Sequence, residues 1–212
     1  MSPDKIPDKI PDKITVIGLT GSIGMGKSET AKMFEKARIP VFDSDAAVHI
    51  LMGKDGAATP LVSGLFPNVM TPKGIDRKAL GARVFDDPAA LKQLESILHP
   101  MVSDMRQNFF DRAAAEGHDL VVMDVPLLFE TGGEKQCDFT VVVSAPPALQ
   151  RGRVLSRPNM TVQKFENILA QQMPDEEKRR RADFIVQSDQ GLSYAEDQVA
   201  KIIENIRMKK DI

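Results

Sequence analysis

The chain has 212 residues, enough for one α/β domain with insertions that buries roughly 70% of its unfolded surface. A net charge of −2, aromatics at 5% and no Trp argue against a nucleic-acid binder, whether through a basic face or base-stacking platforms, and against a membrane-surface protein. A single cysteine, Cys137, excludes an internal disulfide framework and a multi-thiol metal site and fits a reducing cytoplasm; no apolar run nears the ~20 residues of a membrane span, and the N-terminus lacks a secretory signal's apolar core.

The N-terminus repeats PDKI three times, over residues 3–6, 7–10 and 11–14. Proline at every fourth position blocks both helix and central strand, so residues 1–13 are expected to be a disordered tail. Residues 14–20 (ITVIGLT) then read as a strand apolar on both faces, the pattern of a buried parallel strand. A helix is expected over 26–38 with Ala31, Phe34 and Ala37 on one face, followed by a short strand over 40–43. Further strands are expected over 120–125, 140–144 and 184–187. Strands separated by helices require crossover connections, hence a parallel sheet with helices on both faces.

Two helical insertions interrupt this rhythm. In the first, about 57–117, Leu91, Leu94, Leu98, Met101, Met105 and Phe109 recur at helical spacing. Pro88 suits a first helical turn after Asp87, and Pro100 is expected to break or kink the run at His99. The second, about 146–181, is rich in arginine, with helix starts at Thr161 and at Pro174. The last helix is expected to open on a capping box, Ser193 and Glu196, and to bury Val199, Ile202, Ile203 and Ile206.

Gly21-Ser22-Ile23-Gly24-Met25-Gly26-Lys27-Ser28 fits G-x-x-x-x-G-K-[ST] between a hydrophobic strand and an amphipathic helix. Glycines let the backbone curl around an anion, and the helix presents its positive end to it. Lys27 then reaches the β- and γ-phosphates, and the Ser28 hydroxyl can ligate Mg²⁺. Residues 21–29, with Glu29 last, form the expected ATP-binding set. A GTPase would usually carry D-x-x-G and N-K-x-D, and neither occurs. A short P-loop chain with two helical insertions resembles a nucleotide or metabolite kinase, in which one insertion grips the acceptor and the other closes as a lid.

Asp43 and Asp45 stand at positions i and i+2 at the end of the second strand. They are expected to converge on the ligand crevice, where a carboxylate can orient a hydroxyl and accept its proton. The competing reading makes Asp45 the cap of a helix over 46–52. Arg153 and Arg157, i and i+4 on one expected helix face, suit a transferring phosphoryl group or form a solvated basic face. Arg179–Arg181 reads as solvated. Asp124 closes the third strand either as a Mg²⁺-linked acid or as a buried acid bonding the P-loop backbone. His99 is a helix-end cap or an acceptor contact, and His49 a surface residue.

In order along the chain stand residues 18–28 (GLTGSIGMGKS), Asp43-Ser44-Asp45, 75–85 (IDRKALGARVF), Leu98-His99-Pro100, 125–130 (VPLLFE), 150–157 with Gln172-Met173-Pro174, and Arg181-Ala182-Asp183. Together they resemble dephospho-CoA kinase, from about residue 14 to the C-terminus. The resemblance implies an α/β P-loop NTPase fold of the nucleotide-kinase type, a parallel sheet flanked by helices with a helical acceptor-binding insertion and a helical lid. It implies ATP- and Mg²⁺-dependent phosphorylation of the ribose 3′-hydroxyl of dephospho-CoA, the last step of CoA biosynthesis; the chain is expected to be a cytoplasmic monomer. It makes Asp45 the base, puts Arg77, Arg83 and His99 on the acceptor side, and makes Arg153 and Arg157 the lid arginines. Another P-loop kinase acting on a small metabolite or a nucleoside, or a catalytically inactive nucleotide-binding regulatory module, are the alternatives. Where the family frequently has Asn after the last strand, this chain has Gln187-Ser188.

Overall fold

The computed structural model describes residues 14–85 and 87–210; the repeat tail expected over 1–13 lies outside the described residues. In chain order the elements are β1 (Thr15–Thr20), α1 (Lys27–Lys36), β2 (Val41–Asp43), α2 (Ser44–Leu51), α3 (Thr59–Leu65), β3 (Met70–Thr71), β4 (Gly74–Ile75), α4 (Arg77–Val84) and α5 (Pro88–Ala115). They continue with β5 (Leu120–Asp124), β6 (Phe139–Ser144), α6 (Pro147–Leu155), α7 (Val162–Ala170), α8 (Asp175–Arg181), β7 (Phe184–Gln187) and α9 (Leu192–Lys210). They fall into two compact units: Asp43–Arg112, and the described residues up to Phe42 and from Ala113 onward.

The second of these is an α/β unit around a sheet of order β2-β5-β1-β6-β7. β1 pairs in parallel with β5 and β6, and β6 with β7. All five strands expected from the sequence are present. Every residue of β1 is buried, as its two apolar faces require. Ala31, Met33 and Phe34 of α1 and Ala195, Val199, Ile202, Ile203 and Ile206 of α9 join the strand residues in one core. Full burial of a side chain such as Phe34 contributes about 1.5–3 kcal/mol. Ala37 is exposed rather than part of that face, because α1 stops at Lys36 and Arg38 turns left-handed at φ 62°. The expected capping box is also absent: α9 begins at Leu192, so Ser193 lies inside its first turn, and Glu196 pairs with Lys36 at 2.9 Å.

In the unit Asp43–Arg112, α5 runs unbroken through Pro100, against the expected break. A proline inside a helix removes one backbone bond, but Leu94, Leu98, Val102, Phe109 and Phe110 on both sides of it are buried and hold the helix in register. Asp87 Oδ1 accepts from the amides of Ala89 and Ala90, fixing the N-terminus of α5 at Pro88. The two-residue strands β3 and β4 pair antiparallel and carry too few residues to announce themselves in the sequence.

Candidate active site

Register fixes where chemistry can sit in the α/β unit. Leu19 pairs with Asp124 and Thr20 with Val142, so the C-terminal ends of β5, β1 and β6 meet at one edge of the sheet. The glycine-rich turn begins there. Gly24 has φ +79°, and a Cβ on it would lie 2.4 Å from Val154 Cγ2; Gly26 caps α1 at φ +101°, a conformation other residues adopt at a cost. The backbone amides of Gly24, Gly26, Lys27 and Ser28 make no hydrogen bond among the described residues, which leaves donors at the positive end of α1 for an anion.

Lys27 Nζ donates to Oδ1 of Asp124, whose side chain is only 3% exposed. Asp124 is therefore a buried acid, and the Lys27 amine is one of its partners. The Ser28 hydroxyl is exposed in the first turn of α1. Glu29, also exposed, holds Lys32 at 2.7 Å, and that carboxylate raises the Lys32 pKa.

The second insertion meets the loop through Arg153 and through two glutamines to which sequence reasoning assigned no role. Arg153 donates to Ser188 Oγ at 2.9 Å and to the Ser188 carbonyl at 2.6 Å, while Ser188 Oγ donates to the Met25 carbonyl at 2.6 Å. Its guanidinium fork thus braces the turn after β7 against the phosphate loop. Arg157 does not share its helix face: α6 ends at Leu155, and Arg157 lies beyond the cap residue Ser156, exposed. Pro158 supplies the reason, since the residue before a proline avoids helical geometry. Gln150 Nε2 donates to the Ile23 carbonyl at 2.8 Å, and Gln172 Oε1 accepts from the Ile23 amide at 3.0 Å. Glu130 accepts from the Met173 amide at 2.7 Å and pairs with fully buried Lys178 at 2.9 Å. Thr161 caps α7 by accepting from the Lys164 amide, and Pro174 precedes α8, as expected. Arg179, Arg180 and Arg181 are exposed.

In the unit Asp43–Arg112 the helix cap is Asp43, not Asp45. Asp43 Oδ1 accepts from the Ala46 amide at 2.9 Å, and Asp45 is exposed in the first turn of α2. Because β2 stops at Asp43, the i, i+2 strand geometry expected of the two carboxylates does not arise. Arg77 Nη1 lies 2.8 Å from His49 Nδ1 and 3.0 Å from Nε2, a pairing that gives His49 a partner the sequence did not suggest. Asp76 caps α4 through the amides of Lys78 and Ala79; Arg83 is exposed in the last turn of that helix, and His99 is half-buried on α5.

A parallel sheet with a glycine-rich turn at the end of its central strand, opening a helix whose first residue is a lysine set on a buried aspartate, defines a P-loop nucleotide-binding protein. Comparison with known proteins narrows this to a kinase. The family model described as dephospho-CoA kinase matches residues 15–193. The dephospho-CoA kinase of Mesorhizobium japonicum is 54% identical over 91% of this chain and 96% of its own length. That of Bradyrhizobium diazoefficiens is 52% identical over 90% of this chain and 95% of its own. Among solved structures, the crystal structure of TT1252 from Thermus thermophilus superposes with a TM-score of 0.78 at 32% identity, covering 92% of this chain and 98% of that one. The chain belongs to the dephospho-CoA kinase family.

Proposed function

We propose that the chain transfers the γ-phosphoryl group of ATP to the ribose 3′-hydroxyl of dephospho-CoA, with Asp45 as the proton acceptor. ATP-dependent phosphorylation of dephospho-CoA, in CoA biosynthesis, is the family's reaction and this chain's activity. One observation carries the reading: the family match over residues 15–193 spans an intact phosphate loop whose lysine is set on a buried strand-end acid.

In the proposed step the 3′-oxygen forms a bond to the γ-phosphorus as the bond from that phosphorus to the β–γ bridging oxygen breaks. ADP leaves, and the hydroxyl proton passes to the Asp45 carboxylate. Lys27 and the amides of Gly24, Gly26, Lys27 and Ser28 hold the triphosphate and stabilise the charge that develops on it. Arg77, Arg83 and His99 are proposed to bind dephospho-CoA, together with Asp43, and Arg153 and Arg157 to act on the phosphates.

A Mg²⁺ ion fits the donors present. Ser28 offers an exposed hydroxyl and Asp124 a buried carboxylate, and among the described residues no group of three His, Cys, Asp or Glu could form an all-protein cage. A small hard cation that takes most of its oxygens from phosphates and water suits so few protein ligands. When bound, it would neutralise charge shared by the β- and γ-phosphates.

No helix among the described residues is long and apolar enough to cross a membrane. We place the enzyme in the cytoplasm as a monomer. Sedimentation at the mass of one 23.3 kDa chain would agree, and a dimer would not. Locating the phosphate in the product by phosphorus NMR tests the regiochemistry: a 3′-phosphomonoester is expected, and a 2′-ester or a new anhydride would contradict the proposal.

A further inference from the structure

We propose that Gln150 and Gln172 are positioning residues for the phosphate loop, together holding both backbone polar groups of Ile23 so that the amides of Gly24, Gly26, Lys27 and Ser28 remain available to the triphosphate. The inference rests on the kinase reading only for what the loop binds.

Ile23 is the third residue of the glycine-rich motif, just ahead of the four amides that lack a bonded partner among the described residues. Its carbonyl takes the Nε2 hydrogen of Gln150, and its amide gives its hydrogen to Oε1 of Gln172. The two glutamines come from different elements of the second insertion. One sits on α6 and is 6% exposed; the other follows α7. A backbone unit gripped at both its donor and its acceptor cannot turn about its neighbouring dihedrals without breaking a hydrogen bond.

Neither glutamine is itself loose. Met173, next to Gln172, gives its amide hydrogen to Glu130, which pairs with fully buried Lys178. Lys178 Nζ also reaches the Pro126 carbonyl at 3.3 Å, and Ser144 Oγ at the end of β6 donates to Asp175 at 2.6 Å. Through this chain of contacts the insertion is pinned to the ends of β5 and β6, and Gln172 is presented to Ile23 from a fixed base. The VPLLFE and Gln-Met-Pro segments thereby set the shape of the phosphate loop before nucleotide arrives.

The two bonds have opposite polarity, and this supplies the test. Gln172→Glu keeps an acceptor for the Ile23 amide. Gln150→Glu loses the donor and turns a carboxylate toward the Ile23 carbonyl. Both add one negative charge beside the same residue. ATP affinity is measured by titration calorimetry without acceptor, ATP KM and kcat by ADP release, and dephospho-CoA affinity without ATP.

Gln172→Ala is expected to weaken ATP binding and raise ATP KM roughly three- to tenfold, the range of a lost neutral hydrogen bond, with kcat largely retained. Gln150→Glu is expected to bind ATP more weakly than Gln172→Glu by at least a similar factor. Dephospho-CoA affinity should stay at the wild-type value throughout. Where Gln150→Glu does not fold, the comparison of Gln172→Ala with Gln172→Glu stands in, with the glutamate variant the tighter ATP binder. Equal losses in the two glutamate variants would mean that added charge alone matters, and would overturn the proposal. Wild-type ATP affinity in Gln172→Ala, or a parallel loss of dephospho-CoA affinity, would overturn it equally. The ATP titration needs no acceptor, and wild-type turnover is measured separately, so failure here is distinguishable from failure of the proposed reaction.

Discussion

In the α/β unit three of the candidate groups are already engaged. Lys27 sits on Asp124, Arg153 on Ser188, and the loop backbone at Ile23 is held at both ends. In the unit Asp43–Arg112, Asp45 and Arg83 stand exposed, and Arg77 meets an equally exposed His49. An exposed arginine that must be ordered by its ligand loses up to about 2 kcal/mol of side-chain entropy on doing so, a cost that a side chain held in advance has already met. On the proposed roles, the phosphate end is built to receive its ligand largely without rearranging, while the acceptor end would gain its order from the acceptor. Mutations should separate the two: changes at the phosphate end disturb stability as well as rate, and changes at the acceptor end act on rate or binding alone.

The largest effect is expected at Lys27. Lys27→Ala should lower turnover by at least ~10²–10³-fold through lost transition-state charge stabilisation. It should also destabilise the fold by about 1–3 kcal/mol, because Asp124 is left buried without its lysine. Adding Asp124→Asn should return most of the lost melting temperature and none of the turnover. A Lys27→Ala protein that melts like wild type would break the contrast between the units.

Asp45→Asn comes next. In its proposed role as proton acceptor, Asp45 would account for roughly 10²–10⁴-fold in rate, so the variant should bind ATP, melt normally and turn over at least a hundred times more slowly by that estimate. Asp43→Asn should keep its cap, since asparagine caps helices as well as aspartate does, and should change melting little. A fully active Asp45→Asn would remove the base from the account.

Smaller effects should divide by insertion. Arg77→Ala and Arg83→Ala are expected to raise the dephospho-CoA KM about tenfold each, the lower range for a hydrogen bond to a charged group, with ATP affinity unchanged. Arg153→Ala, which removes two hydrogen bonds to Ser188, should instead weaken ATP and lower the melting temperature. The reverse pattern would exchange the roles of the two insertions.

The smallest effect concerns Cys137. Burial pushes its thiol up to about 12 from 9.0, with Asp138 and Glu134 adding to the shift. It should resist alkylation in the native protein at neutral pH and react on unfolding. Because the folded pKa is raised, the thiol's contribution to stability is complete below pH 9 and is lost as pH rises toward 12. Rapid native-state labelling at neutral pH would contradict this.

The strands and the phosphate loop were legible because their signals are local: a run of buried β-branched residues, and glycines whose backbone geometry a spacing can specify. The break at Pro100 does not occur because the local cost of one proline is outweighed by apolar burial on both sides of it, which a local rule does not see. Asp43 and Asp45 exchanged the capping role because the strand ends two residues earlier than convergence of the two carboxylates requires. Lys178 lay hidden in a basic run, and only its pairing with Glu130, far off in sequence, marks it as buried. The glutamines at 150 and 172 carried no chemical signal of their own, since an amide's role depends on which backbone group the fold brings to it.

The reaction itself is tested most directly by ADP release from wild-type enzyme with ATP and Mg²⁺ across a panel of acceptors that includes dephospho-CoA, adenosine and gluconate. The account predicts rapid release with dephospho-CoA and background rates with the other two. Equal rates with adenosine or gluconate, or ATP binding with no turnover on any acceptor, would contradict it.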